Sequence, residues 1–198
     1  MNALDLLTPH EREEVVRTVR ILREGGVVYM PTDSIWGISA RISAYSAIER
    51  VYAIKGREEG KPFICGVSSP DMLAAYVPES VLGILRNIAL RDVRPTTVVI
   101  DSPRNIPPWV IAPDGTLALR IIRHTFASAV IDLLREPVIT TSLNRSGEPP
   151  ARNPQEAPPD LLAPLDHVVR WDIFPFHYGK PSRILRIDSE GNTEVIRE

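Results

Sequence analysis

The chain has 198 residues, of which 43% are hydrophobic and 24% charged, and its formal net charge is −2. A chain of this size forms one well-buried core and is short for two, so we expect a single domain over residues 1–198. The weak negative charge disfavours a dedicated nucleic-acid binder, which would carry a basic surface. No apolar run reaches the roughly 20 residues of a membrane helix, and no signal peptide opens the chain. The lone cysteine, Cys65, excludes a disulfide framework, and together these features predict a cytoplasmic protein.

Capping signals predict the first helix. Thr8 is placed as the N-cap, Pro9 in the first turn, and Glu11 as the reciprocal partner of a capping box. Apolar residues then recur at helical spacing until Gly25, which is expected to end the helix.

The remaining elements alternate between strands and helices. Short β-branched or apolar runs predict strands at residues 27–30, 62–67, 96–101, 116–122, 138–141, 167–171, 183–188 and 193–196. Amphipathic runs predict helices from a Ser43 cap to Gly56, from Ser69 onwards, and at residues 78–90 and 125–134. The segments 31–37, 103–115 and 146–159 are rich in turn residues or proline and are predicted as loops. This alternation predicts an α/β fold in which helices cover the faces of a sheet.

The segment KGREEGK gathers three cations, Lys55, Arg57 and Lys61, between a predicted helix and a predicted strand. Cations in one tight loop repel each other unless an anion neutralises them, which favours a polyphosphate site. The alternative is a solvated turn in which the two neighbouring glutamates balance the cations. The segment is not a P-loop, because Pro62 stands where Ser or Thr would hold magnesium.

Two further turns carry small polar side chains. In TTSLNRSG, hydroxyls and an amide lie at or after the end of a predicted strand, on Thr141, Ser142, Asn144 and Ser146. Ligands of open α/β sheets bind at the carboxyl ends of strands. In PTDSIWG, Thr32, Asp33 and Ser34 could hold a polar ligand, whereas Trp36 is expected in the core. Either turn could instead be shaped by its own polar residues. Ser142 lacks a G-x-S-x-G elbow, which argues against covalent hydrolase chemistry.

Taken in order, these segments resemble the YrdC-like threonylcarbamoyl-adenylate synthase family. GGVVYMPTDSIWGI is similar to the family's opening strand and P-T-D-T-x-Y-G turn, AIERVYAIKGREEGKP to its helix and K-x-R…K element, and TTSLNRSGEPPA to its S-x-N element. RPTTVVI, LALRIIRH, KPSRI and EVIR are weaker matches to later motifs. The resemblance covers residues 25–197.

The resemblance implies an open, twisted, mixed α/β sheet with helices on its faces and a large concave cavity. It also implies an enzyme, a nucleotidyltransferase that condenses L-threonine, bicarbonate and ATP into threonylcarbamoyl-AMP and pyrophosphate, with Mg²⁺ accompanying ATP. The product would pass to a transferase complex that forms N6-threonylcarbamoyladenosine on tRNA.

Carried over position by position, the resemblance assigns two sets of residues and leaves metal ligands unassigned. The nucleotide set, whose first three members are also the expected catalytic cations, is Lys55, Arg57, Lys61, Thr97, Ser142, Asn144 and Arg197. The threonine set is Thr32, Arg120 and Ser182.

Three positions depart from the family's pattern towards larger side chains. Trp36 stands where Tyr is usual, Arg94 where Gly is usual, and Arg183 where Thr is usual. All three are expected to add bulk near the cavity and so to affect substrate details more than the phosphate cations.

Two other functions remain open from the sequence. A module that binds structured RNA without catalysis, such as tRNA or double-stranded RNA, would need the same cations, although several phosphate contacts should leave a basic patch. A related carbamoyl-transfer domain occurs inside much longer chains. The synthase reaction brings together a carbamate, a carboxylate and a triphosphate, so its site needs placed cations and donors more than a strong nucleophile. This chain meets that requirement, because it has Arg, Lys, Ser, Thr and Asn residues at its loop ends and few His or Cys residues.

Overall fold

The computed structural model describes residues 3–58, 60–174 and 179–198. Within them, six α-helices accompany one sheet, and no helix is both long enough and apolar enough to cross a membrane. The helices are α1 (Pro9–Arg23), α2 (Tyr45–Lys55), α3 (Pro70–Ala74), α4 (Glu79–Arg91), α5 (Thr125–Leu134) and α6 (Pro159–Leu162). The strands are β1 (Val28–Met30), β2 (Gly37–Arg41), β3 (Ile64–Val67), β4 (Thr96–Ile100), β5 (Leu117–Ile121), β6 (Val138–Ser142), β7 (His167–Val168), β8 (Arg183–Ile187) and β9 (Thr193–Arg197).

The sheet is mixed. Its strands lie in the order β7-β1-β2-β6-β3-β5-β4-β8-β9. β1 and β7, β3 and β5, and β4 and β8 run parallel, whereas the other neighbouring strands run antiparallel. Strands joined by a connection that contains an α-helix, such as β2 and β3, do not lie next to each other in the sheet, as expected of a crossover fold. The predicted mixed α/β sheet is confirmed.

Alternation along the central strands separates a core face from a cavity face. In β4, Val98 belongs to the hydrophobic core, whereas Thr97 lines an open cavity. In β5, Leu119 belongs to the core and Arg120 to the cavity. Successive side chains of a strand point to opposite faces, so the same strands supply both the apolar core and the polar floor of the cavity.

The first helix forms as the capping signals predict. The Glu11 amide donates to the Thr8 hydroxyl at 3.4 Å, and the Thr8 amide donates to the Glu11 carboxylate at 2.7 Å. The chain leaves the helix through Gly25, whose φ of 81° lies in the left-handed region that glycine adopts without strain. The predicted N-terminus and the exit at Gly25 are confirmed.

Three local features differ from the predictions. Strand β2 has no counterpart among the predicted strands, because Gly37 and the small residues after it carry little strand signal. The second helix begins after Ala44 rather than with Ser43 as its cap, because the Ser43 hydroxyl donates to Glu136 instead. The strand predicted at 167–171 is only the two-residue β7, since the chain turns after it.

Candidate functional site

A cavity of about 500 Å³ opens on the polar face of the sheet. Of the ten residues that the sequence assigned to substrate, seven line it: Arg57, Thr97, Arg120, Ser142, Asn144, Ser182 and Arg197. They come from six separate segments, which only the folded sheet brings together. The other three, Thr32, Lys55 and Lys61, are not among the described residues of its wall.

Lys55 lies behind the wall. The last residue of α2, it is only 2% exposed, and its ammonium donates to the Ser142 carbonyl oxygen at 2.5 Å. It also donates to the Asn144 carbonyl oxygen at 3.0 Å and to the Asn144 Oδ1 at 2.9 Å. These three contacts use all three ammonium protons. Burial, and then the charge of Arg57, lower the pKa of Lys55 from 10.5 to about 8.

Asn144 is the centre of the turn after β6. Its Oδ1 accepts from Lys55 and, at 2.6 Å, from the Ser142 hydroxyl. Its Nδ2 donates to the carbonyl oxygens of Arg145 and Glu148 at 2.8 and 2.9 Å. The amide therefore shapes the turn, and all four of these hydrogen bonds stay within the protein. The Ser142 hydroxyl donates its proton to Asn144 and retains acceptor capacity for a ligand.

The KGREEGK loop separates its remaining two cations. Arg57 lines the cavity, with its guanidinium 5.2 Å from the centre of the Phe63 ring and donating to the Pro62 carbonyl oxygen at 3.0 Å. Its buried Nε has no hydrogen-bond partner within the described part of the chain, and burial lowers its pKa. Lys61 instead forms an exposed ion pair with Glu58 at 2.8 Å. Lys61 therefore matches the solvated-turn interpretation, in which a neighbouring glutamate balances the cation, whereas Arg57 lies in the cavity wall.

Arg120 is the most deeply placed cation of the cavity, at 4% exposure. Its Nη1 donates to the Ser34 hydroxyl at 2.8 Å and its Nη2 to the Thr32 hydroxyl at 3.3 Å, while the Asp33 carboxylate lies 3.7 Å away. Burial lowers the pKa of Arg120, the charge of Asp33 opposes that shift, and the charge of Arg197 adds to it. Its buried Nε lacks a hydrogen-bond partner among the described residues. A buried guanidinium with an unused donor is suited to an anionic ligand group.

Thr32 supports this arginine from below the cavity. Its hydroxyl donates to the Ile35 carbonyl oxygen at 2.6 Å and accepts from Arg120 and from the Ser34 amide. With those contacts made, the side chain that reaches the cavity is Ser34. The sequence names Ser34 with Thr32 and Asp33 as a candidate in the PTDSIWG turn, although the threonine set implied by the resemblance contains only Thr32 from that turn.

The opposite wall is formed by β4, β9 and the residue before β8. The hydroxyls of Thr97 and Ser182 are 2.8 Å apart and share a hydrogen bond. The Ser182 carbonyl oxygen accepts from Nε and Nη2 of Arg197, at 3.2 and 2.7 Å. The wall therefore holds a guanidinium through a backbone oxygen, and no carboxylate among the described residues of this wall compensates the charge of Arg197.

The bulky departures occupy different places. Trp36 lines the cavity from a buried position against Tyr29, with ring centres 5.4 Å apart, so its predicted place in the core is confirmed. Arg94 and Arg183 are not among the described wall residues and pair instead with Glu198. Both arginines therefore lie beside the cavity rather than in its described wall, because each pairs with a carboxylate outside that wall.

The charge of the cavity is positive. The arginines at positions 57, 120 and 197 line it, and Glu148 is the one acid among its described wall residues. Within the described chain, no three His, Cys, Asp or Glu side chains gather into a metal site. A ligand with several anionic groups fits this arrangement, because three guanidinium groups line the cavity with one carboxylate among its described wall residues.

Comparison with known sequences agrees with this chemistry. The Sua5/YciO/YrdC family model, described as Telomere recombination, matches residues 20–198. A protein of Xanthomonas axonopodis pv. citri named threonylcarbamoyl-AMP synthase is 35% identical over 158 residues, which are 77% of this chain and 83% of that protein. A protein of the same name from Xanthomonas oryzae pv. oryzae is 32% identical over 182 residues, 91% of this chain and 95% of that protein.

Solved structures share the fold. Escherichia coli YciO has a TM-score of 0.79 at 23% identity, covering 96% of this chain and 91% of that one. Sua5 of P. abyssi, in complex with L-threonine, has a TM-score of 0.78 at 21% identity. The match covers 94% of this chain but only 54% of that one, so the chain spans about half the length of that protein.

Proposed function

Because the chain belongs to the Sua5/YciO/YrdC family, we propose that it is an L-threonylcarbamoyladenylate synthase, which makes threonylcarbamoyl-AMP from L-threonine, bicarbonate and ATP. The observation that carries the proposal is the cavity itself, in which three guanidinium groups and several hydroxyls converge with one carboxylate. The names of the relatives favour this synthase over an RNA-binding module without catalysis.

The reaction is dictated by the charges of its reactants. The threonine amine adds to bicarbonate and water leaves, giving a carbamate. A carbamate oxygen then forms a bond to the α-phosphorus of ATP, and the bond from that phosphorus to the pyrophosphate oxygen breaks. Both reactants of the second step are anionic, so the protein must neutralise charge and hold the attacking and leaving oxygens in line.

The nucleotide would occupy the side of the cavity bounded by Arg57, Ser142 and Arg197. Arg57 would offer its guanidinium to phosphate oxygens, and the Ser142 hydroxyl would do so by exchanging its hydrogen bond to the Asn144 Oδ1 for one to phosphate. Thr97 and Asn144 would complete this subsite through their positions in the same cavity. Lys61 would contribute from the rim only after exchanging Glu58 for a phosphate, whereas Lys55 would stabilise the developing charge from behind the Ser142 turn.

L-Threonine would bind beside Arg120. The guanidinium would pair with the substrate carboxylate, because it lines the cavity and Asp33, at 3.7 Å, only partly offsets its charge. Ser182 and Ser34 line the same cavity, and Thr32 fixes the orientation of Arg120. Bicarbonate would lie between the amino acid and the α-phosphate, so both anionic subsites would share one cavity.

Magnesium would enter with ATP. Mg²⁺ keeps several waters and is commonly held by substrate phosphates with one or two protein oxygens, so it needs no dedicated cage. The Glu148 carboxylate and the Ser142 hydroxyl of the cavity fit that role. Bound there, the ion would neutralise phosphate charge. The product, a reactive mixed anhydride, would be handed to a tRNA threonylcarbamoyl transferase complex. Any direct contact of this chain with tRNA would be weak. Both steps would take place in the cytoplasm.

One assay tests the proposal. The full chain is incubated with ATP and Mg²⁺, and pyrophosphate release is measured with threonine and bicarbonate together and with each omitted. We expect release that needs both co-substrates, and threonylcarbamoyl-AMP in the product mixture by mass spectrometry. Release that ignores threonine, or a salt-sensitive shift with duplex RNA in the absence of any release, would overturn the proposal.

A further inference from the structure

A network of ion pairs lies just outside the cavity wall. Glu198 accepts from Nη2 of Arg94 at 2.8 Å, and its other oxygen lies 3.4 Å from Nε of Arg183. Arg183 also lies 3.8 Å from Asp92, which accepts from the Arg94 amide at 3.2 Å and from the Thr96 hydroxyl at 2.6 Å. We call Asp92, Arg94, Arg183 and Glu198 the outer clamp.

Each part of the outer clamp adjoins a residue of the cavity wall. Arg183 comes directly after Ser182, and Glu198 directly after Arg197. Asp92 holds Thr96, the residue before Thr97. The outer clamp thus ties the three segments of this wall to one another from outside, where no nucleotide would touch it.

The segment that carries Arg197 has few other restraints. All five residues of β9 are exposed, and among the described strands β9 is paired along one edge only, with β8. Its register shifts between Ile184, which faces Arg197, and Leu185, which faces Val195, so one residue of β9 is extra. Such a bulge re-aims side chains, and here both Ile196 and Arg197 line the cavity, although consecutive strand residues normally face opposite sides.

The Ser182 carbonyl oxygen holds the Arg197 guanidinium, but a bulged edge strand with exposed side chains has little else to fix the backbone at its end. We propose that Glu198, held by Arg94 and Arg183, is a positioning residue that fixes the end of β9 and keeps Arg197 over the nucleotide side of the cavity. Both arginines stand where the resemblance implies smaller residues. Its link to catalysis rests on the proposed function, in which Arg197 meets the nucleotide.

The size of the effect depends on the exposure of the outer clamp. The side chains of Glu198 and Arg94 are 63% and 41% exposed, and that of Arg183 is 25% exposed. Exposed ion pairs of this kind each contribute little to the stability of a structure, and a network of them contributes somewhat more. We therefore expect Glu198→Gln to raise the KM for ATP about three- to ten-fold, with kcat and the KM for threonine changed less than about two-fold.

The test compares Glu198→Gln with Glu194→Gln, which removes the same charge from an exposed position of the same strand. Two measurements are made on the full chain: steady-state kinetics for ATP and for threonine, and amide hydrogen exchange of Ile196 and Arg197. We expect faster exchange and a raised KM for ATP in Glu198→Gln alone. We also expect Glu198→Gln to add little to the defect of Arg197→Met, because the outer clamp acts through that arginine.

The outcomes separate the two proposals. Unchanged exchange at Arg197 in Glu198→Gln would overturn the outer clamp whether or not the protein makes threonylcarbamoyl-AMP. Equal defects for ATP and threonine, or full additivity with Arg197→Met, would overturn it as well. Absence of any pyrophosphate release from the wild-type chain would overturn the proposed function, and hydrogen exchange would then decide by itself whether Glu198 holds the strand.

Discussion

Replacing Lys55 with Met should separate activity from stability. The substitution keeps most of the side-chain volume and removes the ammonium that bridges Ser142 and Asn144. Three oxygens then lose a donor, and a typical hydrogen bond contributes about 1 kcal/mol to stability. Against this, lowering the pKa from 10.5 to about 8 means that the folded protein disfavours the charged form by roughly 3 kcal/mol. The two terms nearly cancel.

We therefore expect Lys55→Met to change the free energy of unfolding by less than about 2 kcal/mol, measured in urea. Threonine-dependent pyrophosphate release should fall about 100-fold in kcat/KM, because the Ser142 turn loses its anchor and the cavity loses a nearby charge. Arg86→Met, which removes an exposed cation of α4, is the matched control and should affect neither property. A variant of Lys55 with near-normal kcat/KM, or one destabilised by more than about 4 kcal/mol, would refute the reasoning.

The same residue gives a pH dependence whose sign can be worked out. Between about pH 8 and 10.5 the unfolded chain keeps a proton on Lys55 that the folded chain gives up. The unfolding free energy of the wild type should therefore rise with pH in that window, by up to roughly 3 kcal/mol relative to Lys55→Met. Activity should move the other way, with a loss centred near pH 8 as the ammonium deprotonates. Parallel curves of unfolding free energy against pH for the wild type and Lys55→Met would contradict the lowered pKa of Lys55.

Three further experiments test the cations of the cavity, its choice of amino acid and the packing of the sheet. Arg57→Ala should lower kcat/KM about 10- to 100-fold. Lys61→Ala should lower it less than about five-fold, because the Lys61 ammonium is exposed and already paired with Glu58. Equal losses in the two variants would contradict the difference in their geometry. Valine should be rejected at least about 100-fold against threonine, with serine a poor but detectable substrate, because valine cannot form hydrogen bonds with the hydroxyls around Arg120 and would bury its side chain against them. Equal turnover of valine would show that these hydroxyls do not read the side chain. Gly37→Ala should destabilise the fold by about 1–3 kcal/mol in urea unfolding, because its methyl group would meet the Thr140 hydroxyl at 2.5 Å; an unchanged midpoint would show that the strand yields there.

Local chemistry determined much of this protein in advance. The capping box at Thr8 and the glycine exit at Gly25 depend only on nearby residues, so the bounds of α1 could be predicted from the sequence. The alternation of elements likewise predicts an α/β sheet. Strand β2 escaped prediction, because its conformation is imposed by neighbours on both sides and by the space that Gly37 leaves for β6.

The candidate site, too, could be predicted from the sequence only in part. Its residue types and their order along the chain indicate an anion-binding cavity, because chemistry that gathers several anions needs cations and small donors at loop ends. Which cation faces the cavity is a matter of tertiary geometry. Arg57 and Lys61 stand four positions apart in one loop, yet one lies in the wall and the other pairs with Glu58. Lys55 turns behind the wall because the oxygens of a distant turn, more than 80 residues along the chain, take up all of its protons. Sequence spacing records how far apart residues lie along the chain, and only the packed sheet decides which oxygen each donor meets.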